Sequence, residues 1–180
     1  MLEDIVLIIG LIVLCEVLFW VAIVLGLTIR YIFKKERLGF RILSLIPLLD
    51  LILLLAAGYD MYHGATATPA HALAGIYIGV SVVFGKSMIE WADERFAYYI
   101  MKTGDKPVKL VGIEYAKHQF KGWQKHVLAF ILGAALLILT TVIVGDPDRT
   151  KILTDMIQAW LVVLGIDLIM TLSYFIWKKA

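Results

Sequence analysis

The sequence predicts an all-α integral membrane protein: a bundle of five transmembrane helices with its N-terminus outside and its C-terminus in the cytoplasm. A long third helix and an interfacial amphipathic segment before the fourth are part of that expectation. Three observations lead to it. Of the 180 residues, 61% are hydrophobic, and the mean hydropathy is +0.87, whereas a soluble domain is nearer one half apolar. The excess lies in long blocks, which makes the bilayer the natural solvent. The basic residues border those blocks and alternate in density from one connection to the next.

The blocks run over residues 5–29, 42–58, 71–99, 126–144 and 152–177. A crossing helix needs about 20 residues. The first and fifth blocks exceed that, the second and fourth are slightly short, and the third needs its polar half to cross. The first block is expected to be a retained helix. Its leading charges are Glu3 and Asp4, and no small-residue cleavage pattern follows. Turn chemistry separates the blocks: Gly64, Thr66, Thr68 and Pro69 after the second, and Gly145-Asp146-Pro147-Asp148 between the fourth and fifth. Gly104-Asp105-Lys106-Pro107 ends the long third block. Beyond it, Ile113, Phe120, Trp123 and Val127 share a helical face, as an amphipathic stretch lying along the interface would. Residues 1–180 read as one domain, with no defensible internal repeat.

Orientation follows from Lys and Arg. The first connection holds Arg30, Lys34, Lys35, Arg37 and Arg41. The third holds Arg95, Lys102, Lys106, Lys109, Lys117, Lys121 and Lys125, and the tail holds Lys178 and Lys179. In a five-span arrangement these fall on one side, the cytoplasm of a bacterial or archaeal cell. Only Arg149 and Lys151 fall opposite, beside Asp146 and Asp148. A four-span arrangement would place the basic tail opposite the basic loops. Tyr31, Phe33, Trp123 and Trp177 lie near the proposed cytoplasmic boundary. The +2 net charge does not suggest nucleic acid, because the basic residues form no single patch. One cysteine, Cys15, excludes an intrachain disulfide.

The informative residues are ionisable groups inside the spans: Glu16, Asp50, Lys86 and Asp167. Each costs about 2.5–3.5 kcal/mol at mid-bilayer on insertion scales, so they are expected to face the bundle interior. Fully ionised, three acids and one base leave two excess negative charges in a low dielectric. Protonation or a bound cation relieves that. These four residues are the candidate ion or substrate site, with Glu90, Asp93, Thr171 and Tyr174 around them. Gly75, Gly79, Lys86, Glu90 and Asp93 form one stripe on the third helix, and its two glycines allow another backbone to approach closely. The competing reading pairs Lys86 with Glu90 or Asp167 and makes Glu16 and Asp50 neutral hydrogen-bonding contacts between helices.

Two further constellations are weaker. Glu90, Asp93 and Glu94 have a spacing that presents carboxylates to a divalent ion, though such a run is more often a solvated face. His63, His71, His118 and His126 are the candidates for haem ligation, which needs facing histidines within the bundle. Most of them fall in connections or at interfaces instead. No Gly-rich phosphate loop, HExxH or Gly-x-Ser-x-Gly is present, so the identity of any cofactor stays open.

The first functional reading is a small transporter or channel for a cation or proton-coupled solute. Glu16, Asp50 and Asp167 would carry the proton or cation, Lys86 would be the counter-charge, and a homodimer or a membrane-protein partner is expected in the lipid bilayer. The second is a non-catalytic accessory subunit whose basic loop meets a partner or anionic lipid. The third is an intramembrane enzyme acting on a lipid or quinone, a haem-binding version included, with Glu90, Asp93 and His118 at headgroup level.

Overall fold

The computed structural model describes residues 2–96, 98, 99, 102 and 110–177. The described residues form six helices: α1 (Leu2–Tyr31), α2 (Glu36–Leu43), α3 (Ile46–Tyr62), α4 (Pro69–Phe96), α5 (Gly112–Val144) and α6 (Pro147–Ile176). Among them, Pro69–Arg95, Gly112–Val144 and Pro147–Ile176 are long and apolar enough to cross a membrane. At 1.5 Å per residue these span about 40–50 Å, more than the roughly 30 Å hydrocarbon core.

The helix ends follow local chemistry. Gly145 takes φ +68 and closes α5 in the left-handed conformation, where a Cβ would be disfavoured. Asp146 then caps α6, its carboxylate accepting from the N–H groups of Asp148 and Arg149, and Pro147 occupies the first turn, where no N–H is needed. A proline likewise sits in the first turn of α3. Pro47 therefore starts that helix and does not interrupt one.

Two segments differ from expectation. Residues 36–43 form the separate helix α2 ahead of α3, so the second block is divided at Ser44 and Leu45. Leu43 is half-buried, while Phe40, Arg37 and Arg41 are exposed. The interfacial stretch expected before the fourth block is not a separate element: it is the first part of the continuous 33-residue α5. Lys117, Lys121 and Lys125 line one face at four-residue steps. Nothing between them and His126 breaks the i→i−4 ladder.

Chain neighbours pack together: α1 on α2 and α3, α3 on α4, α4 on α5, and α5 on α6. The buried core lies toward the α3–α4 and α5–α6 turns and contains Leu54, Met61, Ala72, Ile78, Leu137 and Leu153. The two turns are tied together there. Arg149 donates from Nη1 to the Met61 carbonyl at 2.9 Å and from Nε to Asp146 at 2.7 Å, while the Ala67 N–H donates to the Arg149 carbonyl at 2.8 Å. Opposite this core, Leu161, Val162, Val163, Ile166, Ile169 and Met170 of α6 are all exposed. An apolar band of that kind belongs in lipid and not in water.

Candidate functional site

The contacts that bind α1 and α4 lie at the end of the bundle away from the two turns. Arg30, in the last turn of α1, donates from Nε to Asp93 Oδ1 at 2.7 Å and from Nη2 to the second carboxylate oxygen. The Tyr31 hydroxyl donates to Asp93 Oδ1 at 2.8 Å, and Arg30 Nη1 donates to the Glu36 carbonyl at 3.1 Å. The Arg30 side chain is only 10% exposed. One guanidinium therefore holds the ends of α1 and α4 together and orients the start of α2. This is a bidentate, charge-assisted contact of the strong kind.

Close backbone packing sets α2 against α1. A Cβ at Gly39 would come within 2.7 Å of the Gly26 carbonyl oxygen and 3.0 Å of Arg30 Cα, so no larger residue fits without moving a helix. With α2 seated this way, α1, α2, the start of α3 and α4 enclose a crevice of about 470 Å³. Its walls are mostly apolar, including Ile23, Leu27, Leu43, Val80 and Ile89. Its polar lining comes from Arg30, Tyr31, Ser44, Ser81 and Lys86. Gly85 also lines it, and a Cβ there would meet nothing within 4 Å.

Among the described side chains, Lys86 pairs with Glu90 and not with Asp167. Its side chain is 83% exposed and lies 3.7 Å from Glu90, one turn along α4. Such a pair is worth about 0–1 kcal/mol. Asp167 contacts His126 instead, with Nδ1 to Oδ2 at 2.6 Å between α6 and α5. Beside it, Lys125 donates to Ser87 at 3.3 Å and Phe84 packs on the His126 ring. Counted along their helices, Lys86, His126 and Asp167 all lie about 26–30 Å from the turn end, close to the thickness of the hydrocarbon core. They form a polar layer at one level of the bundle. Glu16 and Asp50 belong to α1 and α3, but their side chains lie outside the described residues.

The remaining candidates separate. Thr171 is buried, at 3% exposure, and Tyr174 packs edge-on against Tyr115 of α5 at 5.1 Å. Glu90, Asp93 and Glu94 are not gathered around one point. Asp93 is committed to Arg30 and Glu90 to Lys86, and among the described residues no three His, Cys, Asp or Glu side chains converge. Three of the four histidines have local partners. His63 Nδ1 lies 2.8 Å from the Tyr59 carbonyl, buried His71 accepts from the Thr68 N–H at 3.2 Å, and His126 faces Asp167. His118 is exposed on α5.

Sequence reasoning missed the Arg30–Asp93 and His126–Asp167 pairs and the role of Arg149. The loop charges place Arg30 and Asp93 at the same end. Their partnership, 63 positions apart, depends on which helices meet.

Long apolar helices and an exposed apolar band on α6 define a helical integral membrane protein. Over 168 residues the chain is 52% identical to the uncharacterized membrane protein YmcC of Bacillus subtilis (strain 168), the match covering 93% of this chain and 91% of that one. The chain belongs to the family of that protein and is a membrane protein of bacterial type. No family model matches it, and no solved structure does.

Proposed function

We propose that the chain crosses the bilayer five times, through α1, α3, α4, α5 and α6, with its basic end in the cytoplasm. We further propose that it is a small transporter whose solute enters between α1, α2 and α4. The crevice carries this reading. Its volume of about 470 Å³ falls in the roughly 300–1,000 Å³ range of ligand pockets, and an apolar wall with a few convergent polar groups is the usual composition of such a site. In this arrangement α2 lies along the cytoplasmic interface with its charges toward water. The 17-residue α3 is about 26 Å long and crosses with modest local thinning.

Glu16 lies about 21 Å along α1 from Arg30, and Asp50 about 18 Å along α3 from its outer end. Glu16 is near the middle of α1 and Asp50 about one turn inside the cytoplasmic end of α3, on two helices that pack together. They are the proposed proton- or cation-carrying groups, with Asp167 and His126 at the cytoplasmic boundary. A pathway through so small a bundle is expected to be completed by a second copy.

The test uses purified protein in proteoliposomes under an imposed proton gradient. Charge movement is read on a panel of organic anions and monovalent cations. Wild type should give a current that Gly85→Trp, which fills the crevice, reduces at least tenfold. Glu16→Gln and Asp50→Asn should remove its dependence on the gradient. No current for any panel member, or currents indifferent to all three substitutions, would sink the transporter reading. A stoichiometric partner co-purifying with an inactive protein would replace it with an accessory-subunit role.

A further inference from the structure

We infer that the crevice between α1, α2 and α4 receives a phospholipid with an anionic headgroup, its phosphate at the basic mouth and an acyl chain along the apolar wall. This rests on the crevice being the ligand site and goes beyond it by naming the ligand class. Two observations carry it. The first is the division of the lining: Ile23, Leu27, Val80 and Ile89 run along α1 and α4 as a continuous apolar wall, whereas Ser44 and Lys86 are among the polar groups. The polar groups suit a charged head and the wall an apolar tail. A chain-bearing amphiphile fits both.

The second is charge at the mouth. Between Arg30 and Arg41 the chain carries five basic residues and a single acid, Glu36. Arg30 is occupied by Asp93, which leaves the exposed Lys34, Lys35, Arg37 and Arg41. Arg37, Phe40 and Ser44 follow three- and four-residue steps and so share one face of α2. Phe40 and Ser44 line the crevice, and Arg37 lies exposed one turn before Phe40. Lys86 lines the same space from α4 and makes an exposed contact to Glu90. A zwitterionic headgroup brings a cation that this mouth would repel; an anionic one does not. Each basic residue near an anionic surface favours it by about fivefold.

Native mass spectrometry of the full-length protein in detergent tests this, with phosphatidylglycerol and phosphatidylcholine of matched chains as probes and inorganic phosphate as competitor. The expected result is one phosphatidylglycerol retained per chain, at least about tenfold over phosphatidylcholine. Arg37→Gln with Lys86→Gln should remove that preference, Gly85→Trp should remove both lipids, and Lys117→Gln with Lys121→Gln, basic but outside the crevice lining, should keep it. Thermal unfolding in the same detergent identifies variants that are still folded. Equal retention of the two lipids by wild type, displacement by free phosphate alone, or unchanged retention in folded Arg37→Gln/Lys86→Gln would overturn the inference. Selective retention without charge movement in proteoliposomes leaves it standing and removes the transporter reading. Crevice-dependent currents without lipid selectivity do the reverse.

Discussion

Asp93 accepts from Arg30 and Tyr31 at once, and the Arg30 guanidinium it neutralises is nearly buried. Removing the carboxylate leaves a sequestered cation without its counter-charge, which is more costly than losing the pair altogether. Asp93→Asn should therefore lower stability by about 1–3 kcal/mol, read as thermal unfolding in detergent. Arg30→Lys should lose part of the same amount, because an ammonium cannot reproduce the two-pronged contact. The double replacement Arg30→Met/Asp93→Leu should cost less than the sum of the single losses; simple additivity would show that the two residues do not act as a unit. Asp146 behaves differently because water reaches it. The side-chain hydrogen bond from Arg149, then the backbone N–H of Arg149, hold its carboxyl below the usual carboxylate range. A depressed folded value means the contribution is fully present above the unfolded value near pH 4 and fades as pH falls through the folded one. The stability difference between wild type and Asp146→Asn should thus stay level from neutral pH to about pH 4 and shrink below it. A difference that grows on acidification would show that the charge of Asp146 is not what matters.

At the scale of helices, the close approach expected at Gly75 and Gly79 is made by α5. A Cβ at Gly79 would sit 2.9 Å from Gly133 N and 3.2 Å from Gly133 Cα. These are backbone atoms, which cannot turn aside as a side chain can. Gly79→Leu should consequently separate α4 from α5 and cost at least about 1–3 kcal/mol. Gly85→Ala on the same helix meets open space and should gain about 0.5–1 kcal/mol from helix propensity; equal losses at both sites would mean the glycines act through flexibility and not contact. The period of small residues made the first of these contacts legible in the sequence, because helix geometry alone fixes a face. The stripe continued in the sequence through Lys86, Glu90 and Asp93, yet its parts meet different neighbours: α5, the crevice and Arg30 in turn. Periodicity gives the face of a helix but not what lies across from it. The eight-residue α2 was hidden because its basic residues lower any windowed hydropathy. The unbroken α5 was hidden because a change from amphipathic to apolar composition resembles a boundary. Backbone hydrogen bonding does not stop at a change of solvent.

For the molecule as a whole, the two ends differ in charge as the positive-inside rule requires of cytoplasmic and external faces. At the turn end, Arg149 is engaged by Asp146 and Lys151 by Asp155 at 2.5 Å, so the few cations there are already matched. At the other end Lys34, Lys35, Arg37 and Arg41 lie exposed on one short stretch, and Lys117 and Lys121 lie exposed on α5. The proposed five crossings keep these cations in the cytoplasm, whereas four would expel the basic tail. Single cysteines placed in a Cys15→Ser background test this directly with a membrane-impermeant maleimide on intact cells. Thr66→Cys, in the exposed turn between α3 and α4, should label from outside. Lys121→Cys and Ala180→Cys should label only after permeabilisation. Labelling of Ala180→Cys in intact cells with Lys121→Cys protected would mean that α6 or α5 fails to cross. Labelling of Lys121→Cys with Thr66→Cys protected would invert the bundle and place the crevice mouth outside, where the anionic leaflet lipid proposed for it would have to come from the opposite face.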